Sequence, residues 1–131
     1  MRLILALSVV LSGTTLTTAA NAEMYFVPDP AKHCGMEAMA RNEETTTLYL
    51  NEDNVAFEEI EYYCEFQGKL DPNGWTSDSM TTLVGYCNEP GFFTPEMRLF
   101  MISQYDKNII TVYDKDGAGT VFHMCGGAQR D

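Results

Sequence analysis

The sequence predicts an all-β fold, mainly antiparallel: a small up-and-down meander or barrel with a short N-terminal helix and two disulfides. Three observations carry this reading. Short β-rich runs separated by turn clusters fill the chain from Thr45 onward. Two similar turns, Tyr105-Asp106-Lys107-Asn108 and Tyr113-Asp114-Lys115-Asp116-Gly117, bracket the run Ile109 to Tyr113. Parallel neighbours need a crossover of about a dozen residues or more, so tight turns on both sides of one short strand mean an antiparallel meander. Finally, Cys34, Cys64, Cys87 and Cys125 are spread along the chain without a C-x-x-C, the usage of a stapled domain rather than of a zinc ribbon or a dithiol redox site.

The first segment reads as an export signal. Met1 and Arg2 form a positive start, and Leu3 to Leu11 is apolar apart from Ser8, too short to span a bilayer. Ala20-Asn21-Ala22 then sets small residues at the two positions a signal peptidase must accommodate, which predicts residues 1–22 as a cleavable signal and Glu23 as the mature start. Cleavage there leaves no membrane anchor, and the expected location is periplasmic or secreted. Residues 23–44 are expected to be a lead-in and short helix, and 45–131 the antiparallel body of one domain.

Within the lead-in, Pro28 and Pro30 favour extended chain. Ala31 to Arg41 carries the helical pattern, with Met36 and Met39 three apart, Ala38 and Ala40 as good formers, and Gly35 weakening it. Thr46 to Leu50, the polar turn Asn51 to Asn54, and the alternating Val55 and Phe57 read as a hairpin. Ile60, Tyr62, Cys64 and Phe66 alternate with Glu61, Tyr63 and Glu65. Since Val55 and Phe57 have the opposite parity, one continuous strand from Val55 to Phe66 requires a bulge or corner near Glu58-Glu59. Gln67 to Asp78 is the longest irregular stretch, with the turn Asp71-Pro72-Asn73-Gly74 and the sole tryptophan, Trp75. Met80 to Cys87 is the next strand, broken by Asn88 to Gly91; Met97 to Ser103, Ile109 to Tyr113 and Thr120 to Cys125 complete seven strands. Seven short strands at this spacing favour a curled meander or barrel over a sandwich.

Removing residues 1–22 leaves 109 residues with seven Lys and Arg against nineteen Asp and Glu, a net charge of 7 − 19 = −12. Binding a phosphate backbone or an anionic membrane needs a basic patch, so nucleic acid is excluded as a partner class, whereas a cationic protein is allowed. Export makes cysteine pairing the default. Of the three connectivities, Cys64 with Cys87 and Cys34 with Cys125 are preferred: the first joins neighbouring strands across a long loop, the second ties the N-terminal segment to the last strand.

Several groups of residues carry a chemical reading beside a plainer one. His33 and His123 flank cysteines, and pairing Cys34 with Cys125 would bring both imidazoles together near Met36 and Met124, a weak copper-type set; methionines are more often gap-fillers. Asp114-Lys115-Asp116-Gly117 opens like a calcium loop but lacks the closing glutamate, and a type I′ turn on Asp-Gly is the better reading. Glu58, Glu59, Glu61 and Glu65 are dense enough for acid-base work, yet alternation sends Glu61 and Glu65 to a solvated strand face, where charge also protects an edge. No G-x-S-x-G, free cysteine or phosphate-cradling glycine loop is present, so no catalytic residue and no cofactor is expected.

The N-terminal Cys34, the hairpin entering Val55-x-Phe57-Glu58, the Ile60-Glu61-x-x-Cys64 strand, the Tyr86-Cys87 strand end, the run Met97 to Met101 and the terminal strand ending in Cys125 together resemble a group of small exported, disulfide-containing β proteins of alphaproteobacteria. The resemblance spans nearly all the mature chain and implies a fold. In outline the architecture is also similar to periplasmic lysozyme inhibitors, small disulfide-bearing barrels, although none of their inhibitory loop motifs is matched. The expected function is therefore a non-enzymatic binding or structural domain, with Trp75, Asn73 and Asp71 as its candidate surface. An exposed Trp75 would anchor a partner, while a tryptophan more often sits in a core. The alternatives are inhibition of a cationic hydrolase such as lysozyme, and copper binding through His33 and His123.

Overall fold

Period-2 alternation means that each strand can give one face to a common interior, and here all strands do so. The computed structural model describes residues 24–71, 79–103 and 105–126. It contains β1 (Tyr25–Val27), α1 (Pro30–His33), α2 (Ala38–Glu44), β2 (Thr47–Leu50), β3 (Asn54–Glu59), β4 (Tyr62–Gln67), β5 (Ser79–Glu89), β6 (Phe92–Ile102), β7 (Ile109–Tyr113) and β8 (Gly119–Cys125). Each strand pairs antiparallel with the next, and β8 returns to β1, with Tyr25 opposite Cys125 and Val27 opposite His123. The result is a closed up-and-down barrel, which leaves no first or last strand as a free edge. Both disulfides are formed as preferred, Cys34 to Cys125 and Cys64 to Cys87.

The lead-in, for which Pro28 and Pro30 predict extended chain, supplies an eighth strand. Phe26 lies inward opposite Leu48 and Met124, and this short β1 closes the ring. The single helix expected over Ala31 to Arg41 is two pieces. Asp29 caps α1 through a hydrogen bond its carboxylate accepts from Lys32 N (3.2 Å), and Gly35, at φ +87°, turns the chain before Glu37 caps α2 by accepting from Met39 N and Ala40 N.

The continuous strand with a bulge expected from Val55 to Phe66 is instead a hairpin. Val55 pairs with Phe66, Phe57 with Cys64 and Glu59 with Tyr62, and Ile60-Glu61 forms the turn, with Glu61 at φ +59°. In this register an odd-numbered residue faces an even one, so the parity change marks a reversal of direction. At Asp114 to Gly117 the expected type I′ turn is also replaced. Gly117 is the only residue of the turn with positive φ (+80°), and its N–H donates to Asp114 O (3.1 Å), the type I turn followed by a left-handed glycine that is common in slightly longer hairpins. The Asp114 carboxylate accepts from Asp116 N and Ala118 N, which occupies it within the turn.

The interior is aromatic. Phe57 meets Phe66 edge-on (centroids 5.7 Å apart), stacks near Phe100 (6.0 Å) and touches Phe122 (5.7 Å), with Val55, Leu83, Ile102 and Ile110 filling the space around them. Such ring pairs add roughly 0.5–1.5 kcal/mol each beyond the area they bury. The Cys64–Cys87 pair sits inside this core, its Cα atoms 4.0 Å apart across β4 and β5. Outside the barrel, α2 covers Thr47 and Tyr49 of β2. Their burial is explained by Arg41, itself only 4% exposed, which donates from Nε to Thr47 Oγ1 (3.0 Å), from Nη2 to Tyr49 OH (2.6 Å) and from Nη1 to Met36 O (3.3 Å).

Candidate binding surfaces

β5 and β6 are the longest strands, and only part of each is held by the rest of the barrel. β4 pairs with β5 over Gly85 to Asn88, and β7 pairs with β6 over Leu99 to Ile102. The two strands meanwhile pair with each other from Ser79·Ile102 to Glu89·Phe92, making a long ribbon. Leu83 and Cys87 point into the core, so alternation turns Met80, Val84 and Tyr86 of β5 outward, and with them Met97 and Phe93 of β6. Met80 (64% exposed), Val84 (64%), Phe93 (67%) and Met97 (53%) thus share one outer face, on which Tyr86 stacks against Phe93 with centroids 4.6 Å apart. Scattered apolar side chains at a surface are ordinary, but a contiguous set on one ribbon marks an interaction surface.

The flank of this ribbon is acidic and ordered. On β4, Glu65 Oε2 accepts hydrogen bonds from Tyr63 OH (3.1 Å) and Tyr86 OH (3.2 Å), so one carboxylate is fixed beside the apolar face. Burial, and then the bond to Glu65, push the Tyr63 phenol up to about 12; the bond to Glu65 chiefly raises that of Tyr86. Glu58 of β3 accepts from Asn42 Nδ2 (3.2 Å) on the same side of the hairpin as Tyr63. Glu65 therefore does face outward, as alternation required, whereas Glu61 belongs to the turn.

Of the residues singled out from sequence, Asp71 is exposed at the end of the described part of its loop, and Asn73 and Trp75 lie outside the described residues. The signal segment 1–22 lies outside them as well. The Cys34–Cys125 disulfide fastens the α1 region to β8. His33 is buried, with Nε2 3.8 Å from Glu44 Oε2, and neither ring nitrogen has a hydrogen-bond partner. Glu44 is engaged by Lys32 Nζ at 2.8 Å. His123 lies on the outward face of β8, while Met124 next to it packs on the core, so these two side chains of the copper-type set face opposite ways. Among the described residues no group of three His, Cys, Asp or Glu side chains is placed to hold a metal ion.

The ribbon face is hidden in the sequence because its methionines read as core filler. The signal was present in Leu83-Val84, where apolar residues occupy both parities of one strand and so cannot all face the interior. Compared with protein-family models, curated proteins and solved structures, the chain matches none of them.

Proposed function

We propose that this chain is an exported, non-enzymatic binding domain that docks a cationic protein on the outer face of the β5–β6 ribbon. The observation that carries the reading is the grouping of Met80, Val84, Phe93 and Met97, each more than half exposed, on a single two-stranded face. The charge around that face selects the partner. Glu65 borders it, and the chain as a whole carries nineteen acidic against eight basic residues. An apolar groove rimmed by Lys and Arg complements this surface, and the charge would steer the encounter. Two disulfides are compatible with an oxidising, extracytoplasmic compartment.

Lysozyme is a cationic hydrolase of this partner class, and the resemblance in outline that the sequence bears to periplasmic lysozyme inhibitors makes it the first probe. The test compares wild-type protein with the double variant Val84→Lys/Met97→Lys in lysozyme inhibition and in capture from an envelope extract. The expected result is a basic protein bound by the wild type, released by added salt and not bound by the variant. Identical capture by both proteins would refute the ribbon as the docking face, as would a dimer in sedimentation that dissociates in the variant.

A further inference from the structure

The end of the barrel where β3 turns into β4 is open, and its chemistry differs from that of the ribbon's outer face. Because β7 reaches β6 only at Leu99, the stretch Phe92 to Arg98 stands as a lip above this mouth, and alternation turns Glu96 and Arg98 inward beneath it. Under the lip lies a cleft of about 330 Å³, lined by apolar Phe57, Val112 and Phe122 and by Glu59, Tyr62 and Arg98. That volume is within the usual range for a small-molecule site.

Arg98 is incompletely satisfied. Its Nε is buried and has no hydrogen-bond partner, and Glu96 Oε2 stands 3.7 Å away, beyond hydrogen-bond reach. The charge of Arg98 faces Glu96 in a loose ion pair, but its buried Nε–H makes no hydrogen bond, and a buried donor without one is costly, so an acceptor supplied from outside would be held there. The surroundings restrict that acceptor. Glu59 and Arg98 line the cleft itself, and Glu89 and Glu96 line the adjoining groove beside Tyr62, so carboxylates outnumber the one guanidinium at this mouth. A simple anion meets repulsion from the carboxylates, and a simple cation meets it from Arg98. A ligand bearing both charges satisfies both.

We propose that this cleft binds a small zwitterion with an apolar body, an α-amino acid with an aromatic or branched side chain. Its carboxylate accepts from Arg98 Nε, its ammonium faces Glu59, and its side chain lies against Phe57, Val112 and Phe122. The site is independent of the outer ribbon face and stands or falls separately from the docking of a protein there.

Three probes of one shape separate the charge requirements: L-phenylalanine, 3-phenylpropanoate and 2-phenylethylamine, titrated calorimetrically into the disulfide-intact protein. Saturable binding of L-phenylalanine is expected, at least about tenfold tighter than either singly charged probe. Arg98→Met keeps the apolar stem and removes the donor, and should weaken L-phenylalanine about tenfold while leaving 2-phenylethylamine unchanged or tighter. Glu59→Gln, at an exposed position, tests the ammonium side without touching the core. Amide shifts on titration should appear at Tyr62, Arg98 and Phe122 and spare Val84 and Met97. Absence of saturable binding by L-phenylalanine and L-leucine, equal affinity for a singly charged probe, or shifts confined to the ribbon's outer face would each overturn the assignment.

Discussion

The guanidinium carbon of Arg41 lies 4.1 Å from the centre of the Tyr25 ring, stacked over it. This places the positive charge of α2 on the outer face of β1 while its nitrogens reach Thr47, Tyr49 and Met36 O. Thr47 Oγ1 in turn donates to Asn42 Oδ1 (2.8 Å), and Asn42 donates to Glu58. A ring face, a fork of donors and a chain of acceptors thus fix how the helical segment sits on the barrel. Arg41→Ala should lower stability by roughly 2–4 kcal/mol in urea unfolding, since it removes packing and leaves Thr47 and Tyr49 without their donor. Arg41→Lys should recover only part of this, because an ammonium cannot present the planar fork. Full recovery by lysine would show that charge alone, and not geometry, is what the site needs.

The two disulfides should contribute unequally. Cys34 and Cys125 are separated by 91 residues and Cys64 and Cys87 by 23. On the chain-entropy account these loops are worth about 4.5 and about 3.5 kcal/mol respectively. The longer one also anchors α1 to β8, so its loss loosens the cover over His33 and Arg41. Equilibrium unfolding of Cys34→Ser/Cys125→Ser and Cys64→Ser/Cys87→Ser proteins measures both. The reverse order would mean that core packing at Cys64 and Cys87, which lie among the aromatic side chains, outweighs loop closure.

Gly85 is where β4 and β5 come too close for a side chain. A Cβ there would overlap Glu65 O and lie 2.7 Å from Phe66 Cα, both backbone atoms that no rotamer change can move. Glycine within a strand marks such close approach. Gly85→Ala should therefore cost roughly 2–4 kcal/mol by thermal or urea unfolding and shift the β4 amides in NMR. Gly91→Ala is the matched control: its Cβ would meet nothing within 4 Å, so only the strain of its positive φ (+86°) remains, about 1 kcal/mol. Equal losses at the two positions would refute the steric account.

The parts of this fold legible in the sequence were those in which one strand face is apolar and the other polar. Ile109 to Tyr113 and Thr120 to Cys125 follow that rule only loosely, with Ile109 and Val121 turned outward, but they sit between turns with glycine, aspartate or asparagine, so their bounds were recoverable. β1 was not, because three residues after a polar start carry too little periodicity, and Tyr25–Val27 becomes a strand only through its neighbours β2 and β8. The Ile60-Glu61 turn was hidden because neither residue is a turn former, and the left-handed Glu61 is imposed by the pairing around it. The candidate surfaces were less legible than the fold. An outward apolar strand face has the same composition as an inward one, and the mouth cleft gathers Phe57, Arg98, Val112 and Phe122 from four strands distant in the chain.

The pair of tyrosines on Glu65 makes stability depend on pH in the alkaline range. An unfolded tyrosine titrates near 10, whereas Tyr63 is pushed up to about 12 and Tyr86 is raised, so the folded chain holds phenolic protons that the unfolded chain has released. Between these values the unfolded state binds fewer protons, and the stability of unfolding has a negative slope with pH. The contribution is fully present below pH 10 and is lost as pH rises toward and through 12. Urea midpoints measured from pH 8 to 12 should fall over this window, and the fall should be shallower in Tyr63→Phe. Glu65→Gln removes the negative acceptor from both phenols and should flatten the profile further, while the difference from wild type cancels the titration of the lysines. Because Tyr86 also stacks on Phe93, the same loss should be accompanied by a change in tyrosine absorbance and by weaker binding on the ribbon face. A profile in Glu65→Gln that matches wild type from pH 8 to 12 would place the alkaline transition elsewhere in the molecule.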